Sequence, residues 1–345
     1  MKNHFINKNA TIQDAIKQLD QLAVDAVLFV TNENLELIGS MTDGDVRRGL
    51  INGKHMNTEV HEIMYEKPKS LRHGDMEIEK IKEFRERNYK IVPIVNDKNQ
   101  IVDILNFRIQ KTKLPIDVVI MAGGRGSRLH PLTEKIPKPL LKVGDKSIIE
   151  HIIDSLKIYG ITNIEISINY LGHMIKDAFG DGSSKGLNIS YIEENEPLGT
   201  IGALGLKTQS LNKHTLVLNS DLLTAIDYED YFIDFIKKEA DLSAVGIPYK
   251  VDIPYGIFEL HNDNIVRISE KPTFTYYSNG GIYLFKSTYI NEIPKGEAYL
   301  ATDFIEELVL QNKKVITYSL LDYWLDIGNP SDYQRAQSDI KHLKF

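Results

Sequence analysis

The stretch Met121-Ala-Gly-Gly-Arg-Gly-Ser-Arg-Leu-His-Pro-Leu-Thr133 follows directly on an apolar run, Val118–Met121, and this junction constrains the chain more than any other. A glycine-dense turn at the end of a buried strand lets the backbone adopt positive φ and approach a ligand closely, so that consecutive N–H groups can face an anion. Gly123, Gly124 and Gly126 are the positions expected to do so. Arg128 adds a planar fork suited to phosphate oxygens. In Ile136-Pro-Lys-Pro-Leu140 two prolines stiffen the backbone around Lys138 and so aim its ammonium. The spacing Gly-Gly-x-Gly-x-Arg fits neither the dinucleotide fingerprint nor the loop ending Gly-Lys-Ser/Thr. A tight structural turn is the alternative, and Lys138 a few residues downstream argues against it.

Around this loop the pattern is α/β. Val118–Met121, Ile164–Ile168, Ile189–Ile192, Leu216–Leu218 and Leu242–Gly246 read as strands with amphipathic stretches between them, which predicts a mostly parallel sheet. A helix is expected from Ile148, with Ser147 and Glu150 as a capping box and Gly160 as its stop. A chain of 345 residues exceeds what one hydrophobic core usually serves, so two or three domains are expected. The region up to about residue 112 carries a faint internal repeat. In the first copy Ala10–Leu19 reads as a helix, Ala26–Val30 and Leu37–Met41 as strands, and a helix follows Asp43; in the second, 75–88 reads as a helix, with Lys90–Val95 and Ile101–Leu105 as strands. Neither copy has enough apolar surface to stand alone, so the two should share one small core. The expected division is a module at 1–112, a linker at 113–115 ending in Pro115, and a larger domain at 116–345.

Composition closes off several classes. The formal charge of −7 lacks the positive excess that non-specific nucleic-acid binding requires. The chain has no cysteine, which excludes disulfides, thiolate nucleophiles and Cys-ligated metal. No apolar run is long enough to span a membrane and the first ten residues lack a signal-like core, so a soluble cytoplasmic protein without membrane partners is expected.

Further along, Asp221 ends an apolar strand, where ligands of open α/β sheets gather. Asp326 lies in the short apolar run Tyr323–Ile327, and two separated carboxylates suit magnesium, which takes few protein oxygens and completes its shell with phosphate and water. The alternative for each is a turn or helix cap. Glu270 and Lys271 sit at a corner between Ile265–Ile268 and Pro272.

In order, the chain carries Gly-Gly-x-Gly-Ser-Arg-Leu-x-Pro-Leu-Thr, Pro-Lys-Pro-Leu at 137–140, Glu-Pro-Leu-Gly-Thr-x-Gly-Ala at 196–203, a strand ending at Asp221, Tyr255-Gly256, Glu270-Lys271-Pro272, Asn279 to Tyr283 and Trp324 to Gly328. This series resembles the sugar-1-phosphate nucleotidyltransferases over residues 116 to about 337, and its wording is similar to the guanylyltransferase branch. The resemblance implies a Rossmann-like, GT-A-like mixed sheet, mostly parallel. It also implies transfer of a nucleoside monophosphate from a triphosphate to a sugar-1-phosphate. Arg128, Lys138 and Lys271 would then be catalytic cations, with Asp221 and Asp326 holding Mg²⁺. Ala122, Gly123, Gly124, Gly126, Ser127, Glu194, Pro197, Gly199, Thr200 and Ser220 would bind the nucleotide. Tyr255, Gly256, Glu270, Lys271 and Asn279 would bind the sugar phosphate.

Among Glu193, Glu194 and Glu196, a carboxylate can accept two N–H donors at once, as guanine offers on its N1 and N2 edge. This favours GTP, with Glu194 the reader; a solvated acidic run is the alternative, and UTP, dTTP or CTP remain competing donors. His130 and His151 are expected to be structural or exposed.

Gly39-Ser-Met-Thr-Asp-Gly-Asp45 resembles the adenosine-ligand motif of CBS domains, and the paired repeat resembles a CBS pair. Thr42 and Asp45 match the phosphate and ribose positions, where adenine or another nucleotide would bind. Asp103, Asn106 and Ile109 depart from the pattern in the second copy. A structural or dimerising role is the alternative, and CBS pairs imply a homo-oligomer. Relatives with this fusion are similar to the glucosamine-1-phosphate guanylyltransferases of legionaminic acid biosynthesis, so the resemblance points to glucosamine-1-phosphate first and mannose-1-phosphate second. A non-catalytic nucleotide sensor is the competing class.

Overall fold

The computed structural model describes residues 2–73, 77–207 and 209–343; the start of the helix expected at 75–88 and the last two residues of the expected larger domain fall outside them. The chain divides into two compact units, Met1–Leu114 with Ile158–Gly160, and Pro115–Lys157 with Ile161–Phe345.

In the first unit each repeat contributes a three-stranded sheet. Phe5–Asn7, Leu28–Thr31 and Leu37–Met41 form one, and Leu71–Arg72, Ile91–Val95 and Ile101–Asn106 the other. Each sheet pairs a parallel edge with an antiparallel hairpin. Phe29, Leu37, Ile91 and Val95 pack together across the repeats. Asn99 ties the two hairpins by accepting from Leu37 N at 2.8 Å and donating to Leu37 O at 2.7 Å. The copies differ where Asp43–Ile51 forms a helix after the first hairpin and no helix follows the second.

The second unit is built on a seven-stranded sheet in the order Asn188–Glu193, Asn163–Ile168, Ile116–Met121, His214–Asn219, Thr273–Lys286, Leu242–Asp252, Val315–Ser319. Only Thr273–Lys286 runs against the others. The central strands are buried on both faces and read as near-continuous apolar runs, as helix-covered parallel strands should. The helix Ile148–Ile158 buries Ile148, Ile149, Ile152, Ile153 and Leu156, and Gly160 follows at φ +71°. The expected capping box is present in part: Ser147 N and Oγ both donate to Glu150 Oε2, at 2.8 and 2.9 Å. Burial alone would raise the Glu150 carboxyl, but the Lys185 ammonium and these Ser147 donors outweigh it and hold it at about 2.

The parallel strands Ile116–Met121 and His214–Asn219 end side by side, Asn219 opposite Met121, and the turns that leave their carboxyl ends form the functional cleft. A two-stranded antiparallel ladder, Leu222–Thr224 with Trp324–Asp326, lies beyond, its Leu223 and Leu325, with Ile327 just after it, packed with Leu129 and Leu141. No helix among the described residues is long and apolar enough to cross a membrane.

Candidate active site

The cleft holds about 370 Å³ and brings together Gly123, Gly124, Gly126, Ser127, Arg128, Lys138, Glu194, Pro197, Gly199, Thr200, Ser220 and Asp221. Positive φ, expected at three glycines of the loop, occurs at Gly126 alone, +62°. Gly123 is required for another reason: a Cβ there would lie 2.6 Å from Glu194 Oε1. Thr133 Oγ1 closes the loop by donating to Gly126 O at 2.8 Å. Ala122 does not line the cleft; it is buried and its N–H is committed to Ser167 O at 2.8 Å, so it has no donor left for a phosphate. Leu129 anchors the loop in the core while Arg128 is exposed, its guanidinium lying against Gly328.

Lys138 opens a short 3₁₀ turn between its two prolines and is buried. Its ammonium is bonded to the Asp221 carboxylate and lies 3.9 Å from Asp326 Oδ1. The two acidic residues, far apart in sequence, meet because Leu222 pairs with Asp326 across the small ladder and Ile327 N donates to Asp221 O at 3.0 Å. Burial, and next the Asp221 charge, push the Asp326 carboxyl above its ordinary value, against the pull of Lys138 and Arg128.

Asp221 Oδ1 and Asp326 Oδ1 are buried and accept no hydrogen bond. Orphaned carboxylate oxygens are the ligands a hard divalent cation takes. The described residues contain no group of three or more His, Asp or Glu able to hold an ion. The pair thus fits a cation that completes its shell with phosphate and water.

Glu194 lines the cleft but its carboxylate already has partners. Oε1 accepts from Ser167 Oγ and Oε2 from Leu198 N at 3.0 Å, while Asn169 Nδ2 donates to Glu194 O at 2.6 Å. Glu194 therefore clamps the 194–199 loop against the strand Asn163–Ile168. The flanking Glu193 is exposed and paired with Lys176 at 2.5 Å. On the far wall Gly199 takes φ +80°, and Thr200 Oγ1 accepts from Ala301 N at 2.7 Å.

Tyr255, Gly256, Glu270 and Lys271 stand apart from the cleft lining, on an exposed arm formed where Leu242–Asp252 and Thr273–Lys286 outrun the sheet. Glu270 lies close to Gly256, where a Cβ would meet its Oε2 at 2.7 Å, and Lys271 adopts φ +43°. Asn279 stands at the root of the arm, accepting from Gly281 N and Tyr283 Oη at 3.0 and 2.9 Å. In the first unit Thr42 and Asp45 form the N-terminal capping box of Asp43–Ile51, and Asp45 also meets Arg48 at 2.5 Å. His130 is exposed, and His151 Nε2 is hydrogen-bonded to Val143 O at 2.8 Å. Sequence reasoning missed Met121, Pro139, Leu198 and Asn219 in the cleft wall, and Ser167 and Asn169 behind Glu194. Asn219 had a signal, its place in Leu-Asn-Ser-Asp221; Ser167 had none.

Residues 2–52 match the CBS domain model. The chain is 30% identical over 232 residues to mannose-1-phosphate guanylyltransferase of Mycobacterium tuberculosis, covering 65% of this chain and 64% of that protein. It is 30% identical over 233 residues to D-glycero-alpha-D-manno-heptose 1-phosphate guanylyltransferase of Aneurinibacillus thermoaerophilus, covering 66% of this chain and 99% of that one. The chain thus spans less than two thirds of the mannose-1-phosphate enzyme and nearly all of the heptose enzyme. The crystal structure of HddC from Yersinia pseudotuberculosis complexed with GMP-PN matches at TM-score 0.52 and 26% identity, over 65% of this chain and 99% of that one. Residues 117–342, which contain the glycine loop, the lysine and both carboxylates, match the nucleotidyl transferase model, and the chain belongs to that family.

Proposed function

We propose that this chain transfers a guanylyl group from GTP to a sugar-1-phosphate, releasing pyrophosphate. The observation that carries the reading is the convergence of the glycine loop, Arg128, Lys138 and Asp221 on one cleft, with Asp326 3.9 Å from the Lys138 ammonium. Both reactants are anions, so the barrier lies in repulsion and orientation, which fixed cations and positioning lower. A sugar-phosphate oxygen bonds to the α-phosphorus of GTP while the α–β bridging P–O bond breaks, and pyrophosphate leaves with that electron pair. A phosphate monoester is already ionised at neutral pH, so no general base is needed, in keeping with histidines that stand outside the cleft lining.

Lys138 faces the α-phosphate, Arg128 the departing pyrophosphate and Lys271 the attacking phosphate, with Gly123, Gly124, Gly126 and Ser127 around the triphosphate. Asp221 and Asp326 would hold magnesium, which when bound supplies charge neutralisation between the phosphates. A carboxylate has about four acceptor positions; two on Glu194 are used by Ser167 and Leu198, and the rest are left for the N1 and N2 donors of guanine. Tyr255, Glu270 and Asn279 contact the sugar. In the first unit, Thr42 and Asp45 are the nucleotide contacts proposed for the CBS repeat. Soluble phosphorylated reactants suit a reaction in the cytoplasm.

Pyrophosphate release tests the reading. The purified chain with Mg²⁺ is offered GTP, UTP, dTTP and CTP against glucosamine-1-phosphate, mannose-1-phosphate and D-glycero-α-D-manno-heptose 1-phosphate. Turnover is expected with GTP above the others. Binding of nucleotide with no product from any pair would leave a sensor in place of an enzyme.

A further inference from the structure

A second cavity, of about 510 Å³, opens at the amino end of the strand His214–Asn219. His214 lines it while Asn219 lines the cleft, so the two sites are separated by the length of this six-residue strand, roughly 17 Å. Lys207, Lys213, Lys286 and His214 face this cavity together with hydroxyl and amide side chains such as Thr288 and Asn291. Among the described residues no Asp or Glu lines it, in a chain where acids outnumber bases 48 to 41. Its wall is held in place from behind. Buried Asp117 accepts from Leu211 N at 2.8 Å, Asn212 N at 3.2 Å and Asn212 Nδ2 at 2.8 Å, and Ser287 N donates to Lys213 O at 2.9 Å. Two of the lysines have counter-ions outside the lining, Lys207 on Glu165 and Lys286 on Asp241 at 2.6 Å. Lys213 has no acid partner among the described residues. The His214 ring stands edge-on to Phe232 and Phe235, 5.5 Å from each, and its nitrogens meet no hydrogen-bond partner among the described residues. Burial, and next the charges of Lys213 and Lys286, hold the imidazole below its ordinary pKa, as a positive field without a counter-charge does.

We propose that this cavity binds a small organic phosphate, with the phosphate group on Lys213 and His214. A phosphate monoester brings acceptor oxygens and negative charge, which are what an unpartnered ammonium and an imidazole N–H lack. Lys286 keeps its bond to Asp241 and adds to the field. The volume is in the range of small-molecule sites and exceeds what a bare phosphate fills. The remaining space is bordered by lysine stems, whose methylenes cover apolar groups, and by Ile290. That wall suits an organic body carried by the phosphate. The site is separate from the cleft of the proposed reaction and shares no residue with it.

The His214 imidazole is a local reporter. The full chain, labelled with ¹³C-histidine, is titrated by NMR with inorganic phosphate and with phenyl phosphate at constant ionic strength, the His214 signal being assigned by its loss in His214→Gln. Both probes are expected to move that signal saturably toward the imidazolium position, phenyl phosphate with a Kd about tenfold lower because its ring is buried. Lys213→Ala should raise both Kd values about tenfold or more. Lys213 is exposed, so the remaining histidine signals should stay in place and show that the variant is folded. The shift should persist in Lys138→Ala, which weakens phosphate binding in the cleft alone. A shift that never saturates or that chloride reproduces would mean an adventitious ion only. Equal affinity for the two probes, an unchanged Kd in Lys213→Ala, or loss of the shift in Lys138→Ala would also overturn the proposal. None of these readouts depends on turnover, so they stand or fall apart from the activity proposed above.

Discussion

Lys138 is buried with its ammonium on the Asp221 carboxylate and Asp326 close by, which makes it the counter-ion of an acidic pair as well as the phosphate ligand proposed above. Removing one partner of a buried charge cluster leaves the rest uncompensated, at a cost of about 3–5 kcal/mol where burial is complete and less here, where Asp326 is partly open. Lys138→Ala should therefore melt lower than wild type without metal, recover more of its melting temperature on addition of Mg²⁺, and lose about 10²–10³-fold in turnover. A thermal-shift titration with and without Mg²⁺ checks the first two, pyrophosphate release the third. The residue scale is also where the sequence was most legible. Lys138, Arg128 and Asp221 stood out because prolines, glycines and a strand end fix their surroundings locally. Glu194 stood out as well, but its clamping partners did not, since they come from Ser167, a small polar residue inside an apolar strand, and from a backbone amide. Hydrogen bonds of that kind leave no mark on composition or period.

At the scale of elements, the helix Ile148–Ile158 is held at its start by Glu150, which receives Ser147 N and Oγ on one oxygen and Lys185 on the other, at 2.7 Å. Its carboxyl is lowered from 4.5 to about 2 in the folded chain. A depressed acid stabilises the fold fully above its unfolded value and loses that contribution as pH falls toward the folded one. Glu150→Gln should thus destabilise the chain by about 1 kcal/mol at neutral pH, with the gap to wild type closing between pH 4.5 and 2 in denaturant titrations. The helix, its cap and its glycine stop were readable because each is a local signal. The arm was not: Ile265–Ile268 reads as a strand, but that it projects beyond the sheet depends on where its neighbours end, a non-local fact.

For the whole second unit, Asp241 plays a wider version of the same part. It accepts from Lys286 at 2.6 Å, Tyr289 at 2.9 Å and Lys314 N at 2.8 Å, joining three segments that enter the sheet edge. Burial opposes ionisation, but these donors outweigh it and hold the carboxyl at about 2. With Glu150 it predicts stability that is level above about pH 4.5 and falls as pH approaches 2, and Asp241→Asn should flatten the lower part of that curve; circular dichroism against pH checks both.

The strand Thr273–Lys286 runs, like its neighbour Leu242–Asp252, from the solvent-exposed arm into the core, where Val217 pairs with Tyr283 and Leu218 with Ile282, immediately before Asn219 in the cleft wall. One continuous strand therefore links the exposed arm to the strand that carries Asn219 into the cleft wall.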